Sequence, residues 1–507
     1  MTDDQSSTKR FKRRDLLALT ATASAVFVSG GGFIVDEIDP EPPEEPPPED
    51  PPERIPEPPE DPPEDPEPPE DPEPPEDPPE EPVEGVDIQE YGAEPNPDDP
   101  DSRSAARNLS ALRAAANAAG EGGTIYVPEG TYYFGHDGTG ARFLNVYGLR
   151  EPAGISIVGD GPEKSTLAIS EHMPDDQNHD GFYWWENNDH GEVTIEDIHF
   201  EGNYEALGDL ATESSGSRGC VIREGATGHF EFSNVYIRGW YSTGLRLTDV
   251  SGSAKNCTFE ENGIALHEDT GGETVSHHTA IRPKKGNEFV FTKCYFNRCS
   301  GDAVNIGRNE GDVTLRECFG ESLGTGVHKI SGGNVISQEN CYWEPHTEWL
   351  EENLTDSSLE MPFYGRNMVH RLSNNTGSTP TLRLDNVKLQ RTTNRAISVT
   401  EDGLNLEGDM IAFHENALRH RDHCINCNGS DLGINFSIER ISVHDTNGEI
   451  FDCIPATGTI DNLHHNGNNG LGEFDELSII TESEGEDPLE PDVPSRDDVG
   501  IVPSDDS

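Results

Sequence analysis

From Val193 onward, short runs of alternating apolar and polar residues are punctuated by a two-residue motif that recurs, at several of its steps, after 22 to 24 residues. The motif is a polar residue, often Asn, followed by an apolar residue or Cys. Its second members are Ile198, Val235, Cys257, Cys294, Cys318, Cys341, Val387, Ile441 and Leu463. Asn234, Asn256, Asn340, Asn386 and Asn462 stand first in the same register, so coiling the chain stacks like on like and lets Asn side chains hydrogen-bond up the pile. The segments VTIEDIHF, FEFSNVYI and TLRLDNVKL alternate with a period of two, and a second short strand follows each turn, as in GLRL, DAVNIG, GVHKIS, NMVHRLS and RAISVTE. Several short strands per period exclude a helical repeat. They predict an all-β fold, a single-stranded right-handed parallel β-helix (a solenoid) whose inward side chains form one continuous core. The interval of 46 between Cys341 and Val387 predicts an intervening coil near 362–372, with NMVHRLS as its second strand.

Charge changes the picture next. The formal net charge is −63, with nine lysines among the 35 basic residues. A surface this acidic repels nucleic acid and anionic membranes and stays hydrated in concentrated salt, as expected of a protein from a salt-loving organism. A tail does not explain it, because residues 36–82 hold 22 acidic residues and one base, Arg54, and so supply only −21 of the total.

That acidic, Pro-rich stretch divides the chain. Residues 1–32 read as an export signal: Lys9, Arg10, Lys12, Arg13 and Arg14 precede an apolar run at 16–28, and Arg13-Arg14-Asp15-Leu16-Leu17 fits the twin-arginine pattern. The run is short for a membrane span, and no Cys follows it to carry a lipid. Export to the exterior or the cell surface is expected, without a transmembrane anchor. Residues 33–84 form a disordered linker, extended by proline and like charge. The β-helix is expected over 85–480, and 481–507 reads as a second acidic, disordered tail.

Residues 86–134 carry a family resemblance. Tyr91-Gly92-Ala93, the Asp-rich loop 98–101, the Ala-rich stretch 105–119, Gly122-Gly123-Thr124 and Val127-Pro128-Glu129-Gly130-Thr131-Tyr132 follow one another in order. This series resembles the N-terminal cap of pectate-lyase-like β-helix proteins, the group that includes family 28 glycoside hydrolases and their non-catalytic relatives. The resemblance implies a helix covering the open end of the solenoid. It does not imply a chemistry, because enzymes, tailspikes and adhesins share the cap.

The family 28 hydrolases are similar to one another in three carboxylates on adjacent coils, two in an Asp-Asp pair, followed one coil later by Gly-His-Gly. At the matching place this chain reads Cys299-Ser300-Gly301-Asp302-Ala303-Val304-Asn305-Ile306, so Asp302 alone remains. Gly324-Thr325-Gly326 has Thr where His belongs, and His278-Thr279-Ala280-Ile281 lacks the expected Asp. Inverting hydrolysis needs an acid and a base flanking the bond, and one carboxylate does not supply both. Glu268 and Asp269 are the nearest candidates for a second.

A different chemistry is legible on the same strands. With Val304 and Ile306 inward, Asn305 faces out, and comparable positions on neighbouring coils hold Arg246, His267, Arg282, Lys284, Arg308, His328, Lys329, His370 and Arg371. Such a cationic stripe suits an anionic polysaccharide, with Arg gripping carboxylates or sulfates in a fork. Asp302, Arg282, His328 and Lys329 are the candidate catalytic group, and Arg246, His267, Lys284, Arg308, His370 and Arg371 the candidate substrate contacts. Pectate and alginate lyases resemble this in pairing an Arg or Lys base with cations that hold the enolate. The plain alternative is neutralisation of nearby carboxylates such as Glu268, Asp269 and Asp302.

Weaker signals complete the reading. Cys424-Ile425-Asn426-Cys427 is a lone C-x-x-C whose sulfurs are expected on opposite sides of a strand, so zinc is not expected. The cysteines of the periodic motif read as small core hydrophobes. No metal site is predicted; calcium is the one cofactor left open. Trp184-Trp185, Trp240 and Trp343 are candidates for stacking on sugars, or for core packing. The two functional classes left are a lyase or hydrolase acting on an anionic glycan and a non-catalytic, stalked surface adhesin or glycan-binding module.

Overall fold

The computed structural model describes residues 85–501, apart from 96–101, 135–153, 170–181, 185–188, 204–217, 223–226, 241, 264–276, 300, 308–310, 325, 331–334, 346, 348–366, 372–378, 394, 400–402, 417–422, 428–431, 447, 467–469 and 486–487. The export signal and the acidic linker lie outside the described residues. Those described belong to one compact unit, Pro79–Ser507. Among them no helix is long and apolar enough to cross a membrane.

Every strand pairing in this unit is parallel, and each strand pairs with one from the next turn of the chain. Three ladders result. One contains Thr243–Thr248, His277–Arg282, Asp302–Ile306, Gly326–Ile330, Asn367–Arg371 and Ile397–Val399. A second contains Ser251–Lys255, Glu288–Thr292 and Asp312–Arg316, and a third Thr258–Glu260, Tyr295–Cys299 and Phe319–Leu323. Longer strands such as Thr227–Arg238, Val335–Glu344 and Thr381–Gln390 run through both the second and third ladders.

The periodic motif marks the corner between these two ladders. Asp197, Asn234, Asn256, Lys293, Glu317, Asn340, Asn386 and Met410 all have φ between 51° and 58°, in the left-handed region. Asn and Asp tolerate that conformation best among residues with a side chain, which explains their prevalence. The next residue starts the third ladder and points inward. In one bond, Asn386 Nδ2 donates to Asn340 Oδ1 at 2.8 Å. Lys293 and Glu317 interrupt any Asn pile, so the shared cause of the motif is the backbone bend. Asn256→Val is expected to cost about 1–2 kcal/mol through its positive φ, whereas Asn256→Gly should stay within a few tenths; chemical denaturation distinguishes the two.

The interior stack runs Ile198, Val235, Cys257, Cys294, Cys318, Cys341, Val387, Ile411, Ile441, Leu463, all at most 1% exposed. The four cysteines lie on adjacent coils, reduced and buried. Two expectations fail here. Cys341 pairs directly with Val387, so no coil intervenes, and Asn367–Arg371 belongs to the same turn, paired with Gly326–Ile330. The coil that the motif missed is that of Ile411, between Val387 and Ile441, where the corner residue is Met410. The Cys424 and Cys427 side chains are both fully buried in the core rather than split across a strand, because the strand between them is only Ile425–Asn426.

At the N-terminal end, helix Ser102–Ala119 turns Ala105, Leu109, Leu112 and Ala116 onto the strands Val86–Asp87, Thr124–Val127 and Gly130–Phe134. Buried Asn108 ties it down by donating to the carbonyls of Glu94 at 3.2 Å and Tyr133 at 3.0 Å. The Gly-Gly-Thr signal has a steric cause: a Cβ at Gly123 would lie 2.3 Å from the Ala119 carbonyl oxygen.

The C-terminal segment departs from the expected disordered tail. Strand Gly472–Glu484 forms the last coil, and residues 488–501 return along the outside of the third ladder. Glu490 reaches Lys388 at 2.7 Å, and Ile501 exchanges two 2.8 Å hydrogen bonds with the Thr258 hydroxyl.

Candidate functional site

The predicted stripe lies on the first ladder, where period-two alternation settles which side chains face out. Leu245 and Leu247 are in the core, so Arg246 between them points outward. Register then carries the outward column from Arg246 to Ala280, Asn305, Lys329, His370, Ser398, Asn426 and Asp452. Neighbouring coils are about 4.8 Å apart, so Arg246 and Lys329 stand about 14 Å from one another along the column. Arg282 lies one outward position further along its strand, beside Gly307. A Cβ at Gly307 would fall 2.4 Å from Arg282 Nε and 2.5 Å from its Cγ, so only glycine lets the guanidinium stem cross there. Lys284 is exposed in the turn that follows. The side chains of His370 and Arg371, and all of His267 and Arg308, lie outside the described residues.

The predicted catalytic quartet does not assemble on this face. Arg282 and Lys329 reach the surface; His328 and Asp302 do not. His328 shares a register with Val304 and Thr279 on the inward side and is 1% exposed. Consecutive strand residues face opposite ways, so His328 and Lys329 are divided by the sheet. Trp343 Nε1 donates to Gln338 Oε1 at 2.7 Å, which leaves the Gln338 amide nitrogen to donate to His328 Nε2, also at 2.7 Å. The imidazole is thereby neutral with its proton on Nδ1. Burial pushes its pKa down to about 4, against the opposing pull of Asp302. Asp302 opens its strand at 2% exposure, and its charge also raises the buried Cys299 thiol.

The sign of the His328 effect fixes a prediction. Its folded pKa is below the unfolded value of about 6.5, so the unfolded state binds the proton first. The stability that His328 contributes is fully present above pH 6.5 and declines as pH falls towards about 4. The full difference is about 3 kcal/mol. His328→Gln keeps a polar partner without titrating, so its stability should lack this part of the acid slope. Identical slopes in denaturation series at pH 4 to 6.5 would contradict the assignment.

Towards the C-terminal coils the column changes sign. Asn426 donates to Asp452 at 2.6 Å and accepts from Arg395 at 3.2 Å, and His423 bridges Glu449 and Asp452. On the second ladder, ion pairs cross successive coils: Arg316 with Glu339 at 3.0 Å, Arg383 with Glu407 at 2.9 Å, and a bidentate Arg440 with Asp409 at 2.6 and 2.7 Å. Arg440 holds the Asp409 carboxyl below its ordinary range, while burial raises that of Asp385. Asp385, Asp409 and Asp461 line a cavity of about 370 Å³ with Arg383, Glu407 and Glu439, and Arg383 there already pairs with Glu407. Among the described residues no group of three or more His, Cys, Asp or Glu side chains is arranged to hold a metal ion.

Trp240 and Trp343 are core residues, 1% and 0% exposed, with indole nitrogens bonded to the Phe200 carbonyl and to Gln338. The outward-facing aromatics are others, most of them covered. Tyr236, Tyr295, Phe319 and Tyr342 form an outward column on the third ladder, each immediately after a residue of the interior stack. That offset of one from Val235, Cys294, Cys318 and Cys341 is a sequence signal, overlooked because the alternating runs were read for their inward members.

No family model matches the chain, and no curated protein sequence matches it. Solved structures similar in shape include ORF18 of Geobacillus virus E2, at 14% identity and a TM-score of 0.42, over 78% of this chain and 60% of that one. The chain thus spans about three fifths of that protein's length. The catalytic unit of a GH87 α-1,3-glucanase from Streptomyces thermodiastaticus is 14% identical with a TM-score of 0.44, covering 80% of this chain and 70% of the other. The Streptococcus pneumoniae surface protein and adhesin PfbA is 11% identical with a TM-score of 0.43, over 79% of this chain and all of its own.

Proposed function

We propose that this chain is an exported, salt-adapted, right-handed parallel β-helix protein that binds an acidic polysaccharide along the outer face of its first ladder. Right-handed winding follows the general rule for crossovers between parallel strands. The observation that carries the functional reading is the single outward register Arg246, Ala280, Asn305, Lys329, with Arg282 one position aside. On a chain with 98 acidic residues and 35 basic ones, cations in line along a sheet match repeated carboxylates or sulfates. Small Ala280 and buried Asn305 between them leave a shallow track for sugar rings. By register the backbone position of His370 continues the column, and exposed Lys284 follows Arg282 in the next turn. The Pro-rich segment 33–84 serves as a stalk.

Binding without cleavage is the favoured form, because Asp302 and His328 are interior and no acid and base pair flanks the track among the described residues, outside which Glu268 and Asp269 lie. In molar salt the protein should be retained on immobilised alginate, pectate or sulfated glycan and release no new ends. New reducing ends would make it a hydrolase. Ultraviolet-absorbing unsaturated ends would make it a lyase, with Lys329 or Arg282 as base. Absence of both retention and products across these glycans would remove the proposal.

A further inference from the structure

The outer face of the third ladder carries a second column whose chemistry differs from the first. From the C-terminal coils back it reads Ser442, Ala412, Lys388, Tyr342, Phe319, Tyr295, Thr258, Tyr236. Phe319 stacks on Tyr342 with centroids 4.8 Å apart and meets Tyr295 at 6.0 Å. The Tyr295 and Tyr342 hydroxyls donate to Glu321 and Glu344, which fixes the rings.

Residues 489–501 lie along this column. Leu489 N–H donates to the Ser442 hydroxyl at 3.1 Å, Glu490 pairs with Lys388 at 2.7 Å, and Asp492 N–H donates to Asn386 Oδ1 at 3.1 Å. Arg496 sits over the Tyr295 ring at 5.5 Å, Val499 packs against Tyr295, Phe319 and Tyr342, and Gly500 N–H donates to the Lys293 carbonyl at 2.8 Å. From Ser442 to Thr258 is six coil steps, about 29 Å, spanned by twelve residues that would reach about 40 Å fully extended. The segment therefore follows the column as a strap with slack, part of which is taken up by the 3-10 turn Arg496–Asp498.

Its hold is uneven. Val499, at 2% exposure, and Pro491 are its buried apolar residues, while Leu489 remains 36% exposed. Between these ends the strap arches over a cavity of about 370 Å³ lined by Lys293, Glu317, Asn340 and Asn386 below and by Asp492, Val493, Pro494 and Asp498 above. The strap carries Glu490, Asp492, Asp497 and Asp498 against one base, Arg496. An acidic segment thus lies on rings, cations and amides, the groups that receive a polyuronate: flat sugar faces on aromatics, carboxylates on lysines.

We propose that the third ladder is a second binding track for polyuronate and that residues 489–501 occupy it in cis as a displaceable acidic stand-in. The ligand class is shared with the function proposed above, but the site is not, so the two fail separately. The test uses the Arg246→Ala/Lys329→Ala background, in which the first track is disabled, and measures polygalacturonate affinity in molar salt with and without residues 489–507. Removing the strap should tighten binding at least tenfold, and adding Tyr342→Ala should reverse the gain. A folded strapless protein that binds no better, or whose gain ignores Tyr342, overturns the proposal. Should strap removal prevent folding, hydrogen exchange on the intact protein decides: saturating polygalacturonate should deprotect the Gly500 and Ile501 amides, and unchanged protection there overturns the proposal.

Discussion

Trp343→Ala should be among the most damaging single substitutions in the chain, with a loss of about 3–5 kcal/mol. The indole is fully buried in the third ladder and packs against Phe296 at 5.8 Å and His328 at 6.1 Å. It also sits directly over Gly320, where an added Cβ would come within 2.4 Å of the ring, so the coil before it has no side chain with which to fill the void. The loss exceeds cavity formation alone. Without the indole N–H, Gln338 Oε1 is left buried and unsatisfied, and the amide that fixes the His328 tautomer is free to turn. Denaturant titration of the variant in high salt measures this. A loss under 1 kcal/mol would contradict the packing described, since a buried Trp truncation costs several times more.

The second large effect is that of salt. At a net charge of −63 the folded chain works against its own field. Two like charges 10 Å apart in water repel by about 0.4 kcal/mol before screening, and each carboxylate has many such neighbours. The ion pairs across the coils return little: Arg316 with Glu339 and Arg383 with Glu407 are about half exposed, and such pairs are worth about 0–1 kcal/mol each. Repulsion therefore outweighs attraction at low ionic strength. The Debye length falls from about 10 Å at 0.1 M salt to about 3 Å at 1 M. The melting temperature should accordingly climb steeply between dilute buffer and molar salt. A flat profile over that range would remove the salt-adapted reading.

How far these features were legible in the sequence depends on what each residue had to say locally. The interior stack was readable because every coil must bend at one place, and a left-handed bend favours Asn or Asp just before an inward apolar residue. Where Met410 makes the same bend, the signal vanishes, and with it the coil of Ile411. Loop length misled for the opposite reason: Cys341 pairs directly with Val387, and nothing in a spacing of 46 distinguishes one long turn of the chain from two short ones. The cationic column was legible in composition but not in register. Placing His328 beside Lys329 broke the two-residue alternation that had correctly turned Asn305 outward. The strap was invisible because a segment with few apolar residues, four acids and two prolines has the composition of a disordered tail. Its order comes from the aromatic column beneath it, a tertiary cause without a local signature.

The central claim, that the first ladder binds an acidic glycan, is tested most directly by comparing polyuronate affinities of three proteins in molar salt. These are the parent, Arg246→Ala/Lys329→Ala, and Arg316→Ala/Arg383→Ala, which removes the same charge from the second ladder. Charge-assisted hydrogen bonds are worth about 1.5–3 kcal/mol each, so the first pair should weaken binding at least tenfold and the second less than twofold. Equal losses in the two variants, or none in the first, would contradict the claim.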